Sequence, residues 1–240
     1  MAFGVWYEGF GWDNGIYGGG MQTILPKQII DRFEILNYGH ALEILTSNYK
    51  NEWNDIVGCL NNLSITIDEI KTAGGNKSPI PAKFDDYLFP LGWTETKITA
   101  DLLVKRMDRD ARTSAGGKFE ADRTEEVIVK GFVDGHNVDF IKGKVAFDLE
   151  WNSKDQTFDR DLLAMRNYYD ARIIEVGIII TRAENLNEVF SYLGKDIKSK
   201  YGASTTWMGK LKPRLDARRN GGCPVLAIGI TKECVTDYDG

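Results

Sequence analysis

Gly143-Lys144-Val145-Ala146-Phe147-Asp148-Leu149-Glu150-Trp151 decides the fold of this chain, because it is a glycine hinge followed by one alternating run. Successive side chains of a strand point to opposite faces, so Val145, Phe147, Leu149 and Trp151 turn one way and Asp148 and Glu150 the other. Nine residues before Asp148, Asp139 lies on the short run Asn137-Val138-Asp139-Phe140, close enough to be a neighbouring strand or turn. Three acids that converge in this way supply hard oxygen ligands for Mg²⁺, and a Mg²⁺ site points to phosphate chemistry. The pattern alone also fits the solvent-facing half of an amphipathic strand, in which Lys144, Asp148 and Glu150 merely meet water.

Outward from this run the chain alternates between strands and helices. Glu126 to Val133 reads as a strand, Phe158 to Tyr169 as a helix, Ile173 to Ile180 as a fully apolar strand, Glu184 to about Lys200 as a polar helical stretch, and Pro224 to Ile230 as a last buried strand. Strands that are apolar on both faces and separated by helices imply a sheet covered on both sides. The class is α/β, with a central mixed β-sheet flanked by helices. Earlier, Ala41, Leu42, Leu45, Tyr49, Trp53, Ile56, Val57 and Leu60 recur near helical spacing, which predicts a helix or helix pair over Tyr38 to Leu60 with Asn37 as N-cap. Ala73 to Pro79 and Ser114 to Gly117 are loop signals. Residues 1–31 are rich in Gly and aromatics without helical period and read as an N-terminal extension; 32–240 reads as a single domain.

Bulk properties agree with one domain: 240 residues at 42% hydrophobic content suffice for one substantial core. No apolar run is long enough to span a membrane, and no secretion signal opens the chain, so a cytoplasmic location without membrane attachment is expected. Cys59, Cys223 and Cys234 lack CxxC spacing, which fits a reducing compartment and argues against structural zinc. Gly116-Gly117-Lys118 lacks the rest of a P-loop, so no ATP dependence is expected. His40 and His136 lie far apart and read as structural histidines. The net charge of −5 speaks mildly against a nucleic-acid partner, yet phosphates respond to local patches rather than to the average. One basic region runs from Lys105 to Arg123 interleaved with acids. A second holds Lys195, Lys198, Lys200, Lys210, Lys212, Arg214, Arg218 and Arg219 against Asp196 and Asp216.

Val138-Asp139-Phe140, a short turn, Val145-Ala146-Phe147-Asp148-Leu149-Glu150-Trp151, then a helix and a buried strand, resembles the catalytic core of the PD-(D/E)xK nucleases. More narrowly, the chain is similar to the type II restriction endonucleases of the BglII and BstYI group, whose relatives include BamHI. The resemblance runs from about Phe33 to Ile230, through the early helix Tyr38 to Leu45, the Leu91-Gly92-Trp93 turn and the final strand. It leaves the extension 1–31 without a counterpart and makes 32–240 the catalytic and DNA-binding domain.

The resemblance implies a prokaryotic, Mg²⁺-dependent restriction-modification nuclease that hydrolyses phosphodiester bonds in double-stranded DNA at a short palindromic site, leaving 5′-phosphate and 3′-hydroxyl ends. It makes Asp139 and Asp148 the metal-binding acids, together with the backbone carbonyl of Leu149. Most of the superfamily has Lys two residues after the second acid; here that position holds Glu150, which the resemblance makes a catalytic acid, a further metal ligand and the candidate general base. Sequence reading needs base-edge contacts as well as phosphate contacts. The resembling family approaches DNA with the loop after the catalytic strand and a segment before the last strand. Here those supply Asn152, Ser153 and Lys154, and Thr206, Lys210 and Arg214. Asn152 can pair with adenine and Arg214 with guanine; each equally fits a turn residue or a phosphate clamp. Symmetric cleavage calls for a homodimer; the resemblance places the early helix at its interface, although its apolar face equally fits ordinary core packing, and it suggests a GATC-centred site.

Two other readings of the acids stay open. A glycosidase could use Asp148 and Glu150 as a carboxylate pair, although Ala146 stands where such patterns want another Asp and the chain is short for a barrel. A non-catalytic DNA-binding or assembly module of the same fold would keep the architecture without the chemistry.

Overall fold

Gly143 is the pivot around which the sheet is built. In the structure, a computed structural model that describes residues 25–72, 78–109, 119 and 121–239, its φ is +55°, as the first central residue of a two-residue turn. Such hairpins need positive φ where glycine alone is unstrained. The turn joins β5 (Asn137–Lys142) to β6 (Val145–Glu150), which pair antiparallel with Phe140 opposite Phe147.

The alternating run is therefore a strand, and it is the fourth of six. The mixed sheet has the order β1-β8-β7-β6-β5-β2, with β1 at Phe33–Tyr38, β2 at Thr94–Lys97, β7 at Val176–Arg182 and β8 at Val225–Ile230. β6, β7 and β8 run parallel, and every residue of the three is buried. That explains their near-continuous apolar sequence, since a parallel strand covered on both faces has no wet side.

The two faces carry separate apolar clusters. On one, Val145, Phe147, Leu149 and Trp151 pack with Ile178, Ile180, Leu226 and Ile228 under the helices Ala41–Asn48, Lys50–Asn62, Pro79–Leu88 and Leu186–Tyr192. On the other, Ala146, Ile179, Val225 and Ala227 meet the helices Thr157–Asp170 and Met208–Asp216 through Phe158, Leu162, Met165, Leu211 and Leu215. Gly177 on β7 lets the helix come close: a Cβ there would sit 2.5 Å from Met165 Sδ.

Several boundaries differ from the sequence reading. Tyr38 ends β1 instead of opening a helix, and the helical stretch breaks at Tyr49 into two helices, the pair alternative. The N-cap of the first of these helices is His40 and not Asn37, although the Asn37 Oδ1 accepts the Leu42 N–H at 3.0 Å from within the strand. Ile173 to Glu175 lie outside β7, and the polar helical stretch begins at Leu186 and is interrupted by Gly194, whose φ is +102°. Residues 1–24 and the loop signals at Ser114 to Gly117 lie outside the described residues. Leu25 and Ile29, near the end of the stretch read as an extension, are buried in the core, Ile29 on the helix Lys27–Arg32. A second sheet is a lone ribbon of β3 (Ala100–Asp108) and β4 (Arg123–Val133), with exposed Leu103, Met107, Ile128 and Phe132.

Candidate active site

The ladder between β5 and β6 stops at Phe140 and Phe147, and the two acids that follow occupy the opening. The Asp139 N–H donates to Asp148 Oδ1 at 3.0 Å, and the Leu149 N–H donates to Asp139 Oδ2 at 2.9 Å. Each acid thus replaces a backbone acceptor that the diverging strands no longer offer. Glu150 ends β6, where its carbonyl accepts the Thr181 hydroxyl at 2.7 Å.

These acids do not face bulk water. Asp148 is 2% exposed and Glu150 8% exposed, which excludes the solvent-facing amphipathic strand. Burial disfavours the charged form, and neighbouring carboxylates disfavour it further. Burial pushes Asp139 up to about 6, with Asp161, Glu95 and Asp85 adding repulsion against the pull of the Leu149 N–H. Burial and then Asp161 push Glu150 up to about 8. Asp148 is raised well above the carboxylate range by burial, Asp161 and Asp139 in that order.

Asp161 was not singled out in the sequence. It lies on the helix Thr157–Asp170 within the inward stripe Phe158, Asp161, Leu162, Met165 and Tyr168, and it is fully buried. An acid on an otherwise apolar stripe is the signal that could have found it, since buried carboxylates are rare unless paired. Its Oδ1 meets His136 Nε2 at 3.0 Å, so His136 is a structural histidine with a carboxylate partner.

Asp139 also opens onto a cleft of about 600 Å³, lined among others by Asp85, Glu95, Leu149, Trp151, Asn152 and Lys200. Asp139 and Leu149 thus line the cavity, with Asp148 tied to Asp139 and buried, and Glu150 buried two residues further along the strand. The donor chemistry fits a hard divalent cation: Asp148 Oδ2, Glu150 Oε2 and Asp161 Oδ2 are buried oxygens without hydrogen-bond partners. Among the described residues no three such groups are yet drawn to coordinating distance, so a cation would have to gather them.

The remaining expected site residues lie in one neighbouring region, partly exposed and partly buried. The loop after β6 and the segment before the helix Met208–Asp216 are stitched together, Asp155 N–H to the Ser204 carbonyl at 3.1 Å and Thr206 N–H to the Ser153 carbonyl at 2.9 Å, with Lys154 bridged to Thr205. Beneath them Arg182, fully buried, donates to the carbonyls of Trp151 at 2.8 Å and Thr206 at 2.7 Å and lies over the Phe190 and Tyr201 rings. Burial lowers it to about 10. Asn152 lines the cleft and donates to the Lys200 carbonyl at 3.3 Å, while its Oδ1 is buried without a partner. Ser153 and Lys154 are exposed; Thr206 is fully buried. Lys210 faces Asp155 at 3.7 Å, and Arg214 is held by Asp159 at 3.1 Å and Asp155 at 3.6 Å.

Among the described residues no helix is long and apolar enough to cross a membrane. A protein-family model described as restriction endonuclease BglII/BglIII matches residues 33–230. No curated protein matches the chain.

Proposed function

The chain belongs to the restriction endonuclease BglII/BglIII family of site-specific deoxyribonucleases, and from that premise we propose a Mg²⁺-dependent type II enzyme that hydrolyses both strands of a short palindromic DNA site. The observation that supports this most is the crowding of the buried carboxyls Asp148, Glu150 and Asp161 next to Asp139, which itself lines the cleft. Carboxyls buried and crowded in this way must hold protons or a cation to offset their desolvation and mutual repulsion.

Asp139, Asp148, the Leu149 carbonyl and Glu150 would hold the cation. When bound, it supplies neutralisation of the clustered carboxylates and polarisation of the scissile phosphate. The chain's own residues then divide the work. Asp139 and Asp148, each pinned by a backbone N–H of the other strand, keep the rim of the cleft in place. Glu150, in its carboxylate form, would accept the proton of the attacking water. The water oxygen bonds to phosphorus, and the 3′ oxygen leaves with the bonding pair, giving 5′-phosphate and 3′-hydroxyl ends. Asn152, Ser153, Lys154, Thr206, Lys210 and Arg214 would present the stitched loops to the duplex. Two copies of the chain would cut the two strands.

Replacing Glu150 with Gln tests the assignment. Cutting should fall by at least about 10²-fold, while DNA binding is retained; robust cutting by this variant removes Glu150 from the chemistry. Failure of the wild-type protein to linearise any plasmid with Mg²⁺ would favour a non-catalytic module of the same fold.

A further inference from the structure

We propose that Asp161, anchored by His136, is a fourth acid of the cation site and sets how tightly that site holds a divalent cation. This rests on the metal-dependent reading above and extends it to a residue from the helix face. Asp161 comes from the helix Thr157–Asp170, behind β6 as seen from the cleft, so it acts through Asp148 and Glu150 rather than on DNA; it is a positioning residue.

Three observations carry the inference. The first is location: the inward stripe of this helix, Phe158, Leu162, Met165 and Tyr168, is apolar except for Asp161, which is fully buried. The second is anchoring. Asp161 Oδ1 meets His136 Nε2 at 3.0 Å, and the backbone N–H of His136 donates to Tyr168 Oη at 3.1 Å from the same helix face. The third is contact with the site. The Asp161 and Glu150 side chains are hydrogen-bonded to each other, and each of Asp161, Glu150 and Asp148 keeps one buried oxygen with no donor, Asp161 Oδ2, Glu150 Oε2 and Asp148 Oδ2.

Charge balance leads to the same place. Asp161 acts on Asp139, Asp148 and Glu150 as a neighbouring carboxyl, and His136 and Arg160 are the groups beside Asp161 that favour its charged form. A ligand bringing two positive charges is the complement such a cluster lacks. Fixed carboxylates behind the direct ligands raise cation affinity by field and by orienting the ligands they touch.

The test uses the full-length, DNA-free protein titrated with Mn²⁺ and followed by electron paramagnetic resonance of the free ion. Asp161→Asn should weaken Mn²⁺ binding about 10- to 100-fold, and Asp161→Glu should recover much of it. Asp161→Leu keeps the apolar stripe and guards against misfolding: it should melt above the wild type without cation and lose the same affinity. A purely structural Asp161 predicts the opposite for Leu, lower melting with unchanged Mn²⁺ binding, and that result overturns the proposal. Asp148→Asn separates the two readings. If Asp148→Asn loses Mn²⁺ and Asp161→Asn does not, the role of Asp161 alone falls; if neither loses it, the cation site itself falls.

Discussion

The Asp139 N–H donates to Asp148 Oδ1 at 3.0 Å immediately beyond the last paired residues of β5 and β6. The bond makes Asp148 both a candidate ligand and a structural acceptor, and the two roles separate by mutation. Asp148→Asn keeps an acceptor oxygen and removes a buried charge, so it should melt at or above the wild type while abolishing cutting. Asp148→Ala strands the Asp139 N–H and should be less stable than Asp148→Asn by about 1–3 kcal/mol. Urea unfolding of the two variants side by side decides it, and equal stability would mean the hydrogen bond carries no weight.

Protonation of the site should be visible in stability. Glu150 is pushed up to about 8 from 4.5 and Asp139 to about 6 from 3.8. Raised values mean that the folded state binds protons the unfolded chain has released. Their contribution is complete below the unfolded values and is lost as pH rises through 6 and then 8. Asp159, Asp216, Glu69 and Glu175, which are held below their ordinary values, act below this window. In chelator, the melting temperature should therefore fall between pH 5 and pH 8.5, by about 2–4 °C for each kcal/mol lost. Glu150→Gln should flatten the slope, and saturating Mg²⁺ should offset it. A melting temperature that climbs over this range in chelator would contradict the assignment.

How far the sequence disclosed all this depended on range. The runs that became β6, β7 and β8 were legible because strands buried on both faces write their burial directly into composition. Asp139, Asp148 and Glu150 were legible because nine residues and a glycine turn join them. β1 was not, since Phe33 pairs with Ile230 at the far end of the chain and Phe33-Glu34-Ile35-Leu36 carries no period of its own. Asp161 was missed for a related reason: it meets His136 across 25 residues and a layer boundary. Only its misfit on an apolar stripe marked it.

Arg182 shows the same limit, being an ordinary strand-end residue in sequence and a buried clamp in structure. Its guanidinium joins the end of β6, through the Trp151 carbonyl, to the loop before the helix Met208–Asp216, through the Thr206 carbonyl. Arg182→Met would take the donor from the Trp151 and Thr206 carbonyls and from the Tyr201 carbonyl at 3.4 Å, at about 1–3 kcal/mol for each one left unsatisfied. Arg182→Lys keeps the charge but cannot reach all these carbonyls at once, so it should fall between. Denaturant unfolding gives the order, and limited proteolysis should cut near residues 200–207 faster in the Met variant. A Met variant as stable as wild type would assign the clamp no energetic role.

Asn152 and Arg214, the two expected base readers, start from unlike states, and that separates their predicted effects. Asn152 lines the cleft with a buried Oδ1 that has no partner, so a polar donor from a ligand would satisfy an unmet acceptor. Arg214 is already committed, with its Nε 3.1 Å from Asp159, its Nη2 3.6 Å from Asp155 and its Nη1 donating to the Lys210 carbonyl at 2.7 Å. To reach guanine it must leave those partners, giving up ion pairs for hydrogen bonds to a neutral base edge, an exchange that yields little. Asn152→Ala should relax or abolish sequence choice, at about 1–3 kcal/mol of discrimination for a lost bidentate contact. Arg214→Gln should lower the melting temperature and leave the recognised sequence as it was. Sequencing the ends produced from a genomic digest by each variant reads both outcomes at once. Altered ends from the Arg214 variant, with those of the Asn152 variant unchanged, would exchange the two roles.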